Sequence, residues 1–263
     1  MNRVDKRRVR ASFSRSAPTY DIRATVQRRV RERVLALLSE AAPHPRRALD
    51  VGAGTGALVG RLAESRPGLA AAAVDLAPGM CAAARAVVPT ALVAAADAEA
   101  LPFRDGAFDL FVSTSTFQWL PGLGPALAEA HRVLARGGVL CLALFGTRTL
   151  AELRDAWRAA AGPDEGGHTH AFFGRDEVAR ALAAAGFRSP SVFEEDLVEW
   201  HEDARAVLRA LKEVGAASAV PGRTGLGGRA RTLEMLRRYD EAHAGRSGVP
   251  ATYHVVYAVA VRP

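Results

Sequence analysis

Runs of apolar residues alternate with amphipathic stretches through the first half of the chain. The apolar runs, most of them bounded by glycine, proline or a charged residue, predict strands at residues 48–51, 71–74, 91–96, 108–113 and 139–145. Apolar residues at helical spacing between these runs predict helices at residues 58–64, 80–88 and 124–134. Strands of a parallel sheet read as continuous apolar runs because helices cover both faces of the sheet. The pattern therefore predicts a doubly wound α/β core.

The segments on either side of this core follow different patterns. Residues 1–19 are rich in arginine and have few apolar partners, which predicts a segment that is mobile or ordered only over a ligand. A helix capped by Asp21 is predicted to run to about Glu40, with valine and leucine on one face and arginine on the other. After Gly146 the pattern predicts further helices at 150–161, 176–185, 202–214 and 229–242, and strands at 192–200 and 252–261. We expect the last strand to lie inside the sheet and the helices after Glu202 to cap a ligand cleft.

Composition excludes several classes of protein. The chain has 263 residues, of which 49% are hydrophobic and 24% charged, and no apolar run reaches the ~18–20 residues that a membrane-spanning helix needs. The N-terminus has no apolar core followed by a small-residue cleavage site, which argues against a secretory signal. Cys81 and Cys141 are far apart and suggest no disulfide framework, so we expect a cytoplasmic protein.

A glycine-rich loop follows the first predicted strand and opens a helix. Gly52, Gly54 and Gly56 allow backbone turns with positive φ and a close approach to a ligand. Gly52-x-Gly54-x-x-Ala57 also fits the dinucleotide fingerprint. A carboxylate at Asp50 would repel a pyrophosphate, which such a loop otherwise binds at the helix N-terminus. Asp50 instead favours a ligand with an ammonium group and no phosphate, and S-adenosylmethionine is such a ligand.

Acidic residues also end the second and third predicted strands. Asp75 is placed to accept hydrogen bonds from both hydroxyls of a ribose. Dinucleotides and S-adenosylmethionine both contain a ribose, so this residue does not distinguish between them. Asp97 is placed to accept from the exocyclic amine of an adenine. An aspartate after a strand is often only a helix cap or turn former. Three of them at successive strand ends, beside a glycine loop, favour a ligand site at the edge where open α/β sheets bind ligands.

Several motifs between Leu49 and Phe145 together resemble the class I S-adenosylmethionine-dependent methyltransferases. The motifs are Leu49-Asp50-Val51-Gly52-x-Gly54-x-Gly56, Val74-Asp75, Leu101-Pro102-Phe103 before Phe108-Asp109-Leu110, and Arg132-Val133-Leu134 before Gly137-Gly138. The resemblance implies that the glycine loop holds the methionine part of the cofactor, Asp75 the ribose and Asp97 the adenine. The residues expected to bind S-adenosylmethionine are Asp50, Gly52, Gly54, Gly56, Asp75, Leu76, Met80, Asp97, Ala98 and Ser113.

The expected fold class is α/β, with a doubly wound, mostly parallel, seven-stranded Rossmann-like sheet and a helical cap inserted before the last strand. We expect one methyltransferase domain over residues 1–263. Within it, residues 1–45 form a basic N-terminal segment and lid helix, residues 46–146 the cofactor-binding core, and residues 147–263 the remainder of the sheet with a helical cap at about 202–244.

Motifs outside the core narrow the resemblance to the malonyl-[acyl-carrier protein] O-methyltransferases of biotin synthesis. They are Phe13-x-Arg15-x-Ala17-x-x-Tyr20-Asp21, Phe117-Gln118-Trp119, Thr149-Leu150-x-Glu152-Leu153-Arg154-x-Ala156-Trp157, Leu211-Lys212-x-Val214-Gly215-Ala216 and Ala251-Thr252-Tyr253-His254. The similarity extends over nearly the full length, except for Ala217 to Gly228. It implies methyl transfer to the free carboxylate of a malonyl thioester, carried by acyl-carrier protein or by coenzyme A.

The acceptor carboxylate would be selected by a cation, because an arginine fork can hold a carboxylate. The candidates are Lys212 and Arg229 first and Arg154 after them, and each can also be read as a solvated surface cation. Tyr20 is a candidate to close over the methyl donor, or else an apolar staple for the first helix. No metal site is predicted, since His168 and His170 lie two residues apart with no acidic or cysteine partner in place.

The net charge and the composition bear on which partner the protein binds and leave two alternative functions open. The net charge of +7 suits either nucleic acid or an acidic protein, and the resemblance favours an acidic carrier protein over nucleic acid or membrane. Part of that charge reflects an arginine-rich composition, since Lys6 and Lys212 are the only lysines. The alternatives are a methyltransferase for another small carboxylic acid or a quinone, and an RNA-binding protein on the same fold. Aromatic residues make up only 6% of the chain, which disfavours the RNA-binding alternative.

Overall fold

The strands form one sheet in a computed structural model that describes residues 4–42, 44–161, 172–216 and 226–263. Within these ranges seven strands are present: β1 Arg47–Val51, β2 Ala70–Asp75, β3 Leu92–Ala95, β4 Phe108–Thr114, β5 Leu134–Phe145, β6 Arg188–His201 and β7 Val249–Val261. Their order across the sheet is β3-β2-β1-β4-β5-β7-β6. The strands β1 to β5 pair in parallel, and β7 runs antiparallel to both β5 and β6. The predicted doubly wound sheet, with its last strand inside, is confirmed.

Helices cover both faces of this sheet. They are α1 Lys6–Ser16, α2 Tyr20–Arg23, α3 Thr25–Ala41, α4 Ala57–Ser65, α5 Pro78–Val87, α6 Gly124–Val133, α7 Ala151–Ala161, α8 Arg175–Ala184, α9 Ala204–Glu213 and α10 Leu226–His243, with short 3₁₀ turns at Ala17–Thr19 and Phe117–Trp119. Successive side chains of a strand face opposite sides of a sheet. On β4, Leu110 and Val112 therefore pack in the same core cluster as Leu62 of α4, whereas Phe111 packs in the cluster that contains Leu127 of α6. None of the helices in the described ranges has both the length and the apolar character to cross a bilayer.

Residues 1–19 were expected to be mobile or ordered only over a ligand, and the first alternative is wrong for Lys6–Ser16, which forms α1. The Asp5 carboxylate caps this helix by accepting hydrogen bonds from the backbone N–H groups of Arg7 and Arg8. Lys6 pairs with two acidic side chains of the core, and Phe13 packs edge-to-face against Trp119. A capped helix with one buried face is ordered even in an arginine-rich sequence, because the arginines occupy its solvent-facing side.

The expected cap at Asp21 is also wrong. Asp21 lies inside the short helix α2, and the long helix α3 begins at Thr25 after a break at Ala24. The Asp21 carboxylate accepts a hydrogen bond of 2.8 Å from the hydroxyl of Thr55 in the glycine loop. The side chain that looked like a helix cap therefore joins the N-terminal segment to the core.

The two helices of the expected cap occupy different places. The end of α9 borders a pocket through Leu211 and Val214. Helix α10 packs against α7 and buries Met235 and Tyr239 in the core. The described side chains of α10 line neither of the two pockets discussed below.

Arg132 provides a test of what holds the β4–α6 region together. Its guanidinium donates to the carbonyls of Leu101 and Phe103 at 3.0 and 2.6 Å and to the Glu129 carboxylate at 2.7 Å. We expect Arg132→Ala to lower the free energy of unfolding by about 2 kcal/mol, because these acceptors lose a charged donor. Urea unfolding measures the loss, with Arg136→Ala as an exposed arginine control. Equal stabilities for the two variants would contradict this role.

Candidate active site

The glycine loop is packed tightly against the end of β4. Gly52 has φ +72°, and a Cβ built on it would lie 2.0 Å from Oγ1 of Thr116. Its N–H donates to the carbonyl of Val74 at 2.7 Å, and its own carbonyl accepts from the Thr116 hydroxyl at 3.2 Å. Only glycine fits this position, as the loop's spacing predicted.

Asp75 ends β2 directly beside this loop. One carboxylate oxygen accepts from the N–H of Gly54 at 2.9 Å and the other from the N–H of Ala77 at 2.7 Å. Burial raises the pKa of Asp75, and these two hydrogen bonds oppose that rise. Each oxygen keeps acceptor capacity after these bonds, which suits a pair of ribose hydroxyls.

A cleft of about 710 Å³ lies between the loop, the ends of β2 and β3, and α1; we call it the cofactor cleft. Seven of the residues expected to bind the cofactor line it: Gly52, Gly54, Asp75, Leu76, Met80, Asp97 and Ala98. Apolar and aromatic walls with two carboxylates at strand ends fit a positively charged adenosyl compound. The lining residues that sequence analysis did not assign to the cofactor are Lys6, Val9, Phe13, Tyr20, Val51, Ala96, Thr114, Ser115, Thr116, Trp119 and Leu120.

Three of the expected cofactor ligands lie behind the cleft. The Ser113 hydroxyl donates to the carbonyl of Val51 at 2.6 Å, and Gly56 turns the chain into α4 with φ +83°. Asp50 is only 1% exposed, and its carboxylate lies close to the backbone N–H of Val59 in the first turn of α4. These residues brace the loop from below and do not line its open side.

Helix α1 forms one wall of the cofactor cleft, through contacts that sequence analysis did not assign. Nζ of Lys6 lies 2.6 Å from Oδ2 of Asp97 and also pairs with Oε2 of Glu99. Phe13 packs edge-to-face on Trp119, with ring centroids 5.6 Å apart. The one signal in the sequence is Lys6 itself, a rare lysine among arginines. Asp97, expected at the adenine, therefore also anchors α1.

A second pocket of about 630 Å³ adjoins the cofactor cleft. It shares four lining residues with that cleft: Phe13, Tyr20, Ser115 and Trp119. The rest of its described lining is Gln27, Gln118, Phe145, Thr149, Leu150, Phe172, Leu211, Val214, Ala216 and Tyr253. Two ligands, one bound in each cavity, would therefore come into contact beside these shared residues.

Of the four residues expected to contact the methyl acceptor, only one lines the second pocket. Tyr20 lines both cavities, and burial raises its pKa. Arg154 donates to the carbonyls of Thr147 and Thr149 and thereby holds the loop before α7. Lys212 and Arg229 are exposed. None of these three cations is among the described residues that line the second pocket.

Two expectations remain: that the protein has no metal site, and that Ala217 to Gly228 departs from the family pattern. His168, His170 and most of Ala217–Gly228 lie outside the described residues. Among the residues that are described, no three His, Cys, Asp or Glu side chains are grouped as metal ligands.

Asp75→Ala tests the cofactor cleft. The variant removes the acceptors for the ribose hydroxyls, at a cost of about 1–3 kcal/mol. The dissociation constant of S-adenosylmethionine, the ligand that the resemblance implies, should rise about ten- to a hundredfold in calorimetric titration. Asp176→Ala, an exposed aspartate at the start of α8, is the control and should bind normally. An unchanged titration for Asp75→Ala would show that the ribose is held elsewhere.

The buried carboxyl of Asp50 should make the stability of the protein without cofactor depend on pH. Burial, with a further contribution from the charge of Asp75, raises the pKa of Asp50 from 3.8 to about 7. The folded state then retains a proton that the unfolded chain has lost, so stability falls as pH rises from about 4 to about 7. Urea unfolding at about pH 5 and about pH 8 should show a larger loss in the wild type than in Asp50→Asn, by a few kcal/mol. The same pH dependence in both proteins would exclude this effect.

Comparisons with known proteins agree with this geometry. A family model described as a methyltransferase domain matches residues 49–142. The malonyl-[acyl-carrier protein] O-methyltransferase of Geobacter sulfurreducens is 54% identical to this chain over 267 residues, covering 98% of this chain and 100% of that protein. The protein of the same name from Laribacter hongkongensis is 40% identical, covering 99% of this chain and 90% of that one.

A solved structure shows that the fold is shared more widely. The crystal structure of the YcgJ protein from Bacillus subtilis has a TM-score of 0.61 at 14% identity, covering 88% of this chain and 98% of that one. At that identity the match concerns the fold alone, whereas the match to the Geobacter protein covers 98% of this chain and all of that protein. The chain belongs to the malonyl-[acyl-carrier protein] O-methyltransferase family.

Proposed function

We propose that this protein transfers a methyl group from S-adenosylmethionine to the free carboxylate of malonyl-[acyl-carrier protein], giving the methyl ester used in biotin synthesis. Family membership supports the substrate, and the chemistry of the second pocket supports the acceptor group. S-adenosylmethionine supplies a methyl group made electrophilic by a sulfonium. Asp75 and the glycine loop would hold it in the cofactor cleft, with Asp97 at the adenine end.

The observation that carries the proposal is the absence of a base from the part of the second pocket's lining that the structure describes. Its described lining contains no His, Asp, Glu, Lys or Cys. A phenol, quinol or amine acceptor loses a proton during methylation, and a nearby base that takes this proton speeds the reaction. A carboxylic acid is already ionised at neutral pH, ~3 units above its reference pKa, and needs none. The pocket therefore suits a carboxylate better than the quinone considered from the sequence.

Tyr20 fits a supporting role at the junction of the two cavities. Burial, with the negative charges of Asp75 and Asp21 adding to its effect, raises the pKa of Tyr20. The phenol therefore stays protonated at neutral pH. It can donate a hydrogen bond to a ligand, and it does not act as a base.

The walls of the second pocket supply the remaining catalytic effect. Phe13, Phe145, Leu150, Leu211 and Val214 remove water from whatever occupies the pocket. A carboxylate stripped of water and held beside the methyl donor reacts faster because orientation and desolvation are settled before the reaction. Arg154 donates to the carbonyls of Thr147 and Thr149 and thereby fixes the loop that contributes Leu150 to the pocket wall.

A carrier protein would approach over the seam between α2 and α9. Tyr20 and Leu211 face the pocket from these two helices, and Arg23 of α2 pairs with Glu213 of α9 at 3.4 Å. On the outer side of the seam, Ile22 is 74% exposed and Lys212 is also exposed. An exposed apolar side chain and an exposed lysine on these two adjoining helices suit an acidic partner that delivers a thioester into the pocket.

Free buried cysteines support a cytoplasmic location for this reaction. Cys81 and Cys141 are both buried and form no disulfide with each other. Such thiols are typical of proteins from a reducing compartment.

Transfer of a radiolabelled methyl group tests the function directly. Malonyl-carrier protein should be methylated, whereas acetyl-carrier protein, which has no free carboxylate, should not. Malonyl-coenzyme A and free malonate in parallel reactions define which part of the thioester is needed. Label on a quinol and none on malonyl thioesters would overturn the proposal.

If the carrier protein docks on the seam between α2 and α9, its binding should depend on salt concentration. The apparent KM for malonyl-carrier protein should rise with ionic strength, because the screening length shortens from ~10 Å at ~0.1 M to ~3 Å at ~1 M. The KM for malonyl-pantetheine, which lacks the acidic protein, should change little. Lys212→Glu should raise the KM for the carrier substrate and leave that for the pantetheine substrate near wild type. A KM for the carrier substrate that does not change with salt would contradict this role, and the net charge of +7 would then reflect only the arginine-rich composition.

A further inference from the structure

The second pocket is bordered by strained backbone. Among the described residues, Ser115, Leu150 and Ser189 are the non-glycine residues with positive φ, at +53°, +54° and +43°. Ser115 and Leu150 both line the second pocket, whereas Ser189 is exposed at an irregularity of β6. Strained backbone that the surrounding structure enforces is concentrated at functional sites. Ser115 also lines the cofactor cleft, so it lies where the two cavities meet.

The surrounding structure fixes Ser115 in this conformation. Its N–H donates to the carbonyl of Ala143 on β5 at 2.7 Å, and its carbonyl accepts from Nε2 of Gln118 at 2.7 Å. Gln118 is 1% exposed, and its Oε1 accepts from the N–H of Phe145. The backbone of Ser115 is thus held from both sides by β5, directly and through Gln118.

The hydroxyl of Ser115 differs from those of its neighbours. The hydroxyls of Ser113 and Thr116 donate to the carbonyls of Val51 and Gly52. Oγ of Ser115 is buried and has no hydrogen-bond partner in the described structure. A buried hydroxyl is normally paired, and one left unpaired beside a pocket is available to a ligand there.

We propose that the Ser115 hydroxyl donates a hydrogen bond to the acceptor carboxylate, on the oxygen that is not methylated. This inference rests on the proposed function. The bond would turn the other carboxylate oxygen toward the cofactor cleft. Neutral donors suit this reaction, because the acceptor loses its negative charge as the ester forms. A cation in the same place would stabilise the starting carboxylate more than the transition state, and would slow the step.

Two substitutions separate the hydroxyl from the backbone strain. Ser115→Ala removes the hydroxyl and keeps a side chain at positive φ, whereas Ser115→Gly removes the hydroxyl and relieves the strain. In both variants kcat/KM for malonyl-carrier protein should fall about five- to a hundredfold. The dissociation constant of S-adenosylmethionine should stay within about twofold of wild type, since each variant leaves Asp75 and the glycine loop intact. Ser189→Ala, the matched control at an exposed strained serine, should be fully active.

The outcomes distinguish the inference from the function on which it rests. A wild-type enzyme that does not methylate malonyl-carrier protein would refute the proposed function. An active wild type with near-normal activity in either Ser115→Ala or Ser115→Gly would refute the role of the hydroxyl alone. Loss of cofactor binding in both variants would also refute it, because Ser115 would then act on the cofactor cleft and not on the acceptor.

Discussion

The seating of α1 across the carboxyl edge of the sheet is the interaction on which both cavities depend. Lys6 anchors this helix to Asp97 and Glu99 at one end of the cofactor cleft. Phe13, one turn from its C-terminal end, packs on Trp119 and lines the cofactor cleft and the second pocket alike. Without this helix, both cavities would lose a wall and open to water. Methyl transfer between a sulfonium and a carboxylate requires the opposite, since water stabilises both charges before reaction.

The cofactor cleft is acidic and the second pocket is neutral, and each suits the ligand proposed for it. The cofactor cleft has Asp75 and Asp97 at strand ends, an acidic surrounding for a cationic ligand. The described lining of the second pocket is neutral, with hydroxyl and amide groups among apolar walls. A neutral pocket leaves the carboxylate reactive, and selection of the carrier substrate then depends on the outer seam between α2 and α9. Recognition of the partner and chemistry at the carboxylate are thereby separated.

Sequence reasoning succeeded where contacts are local and failed where they are not. The strands of the core were predictable because buried parallel strands are continuously apolar, and Gly52 and Asp75 because both follow strands of one βαβ unit. The role of Lys6 depends on α1 folding back over residues about ninety positions away, which no local pattern encodes. Arg154 was a candidate substrate contact, and nothing in its spacing reveals that its guanidinium donates to the carbonyls of Thr147 and Thr149.

A crystal structure of the enzyme with S-adenosylhomocysteine and a malonyl-pantetheine amide tests the central claim most directly. The account predicts that α1 stays closed and that the malonyl carboxylate lies in the second pocket, with one oxygen on Ser115. Its other oxygen should lie about 3–3.5 Å from the position of the transferable methyl group. A carboxylate bound instead by Arg154, Lys212 or Arg229, outside the second pocket or with α1 displaced, would contradict the account.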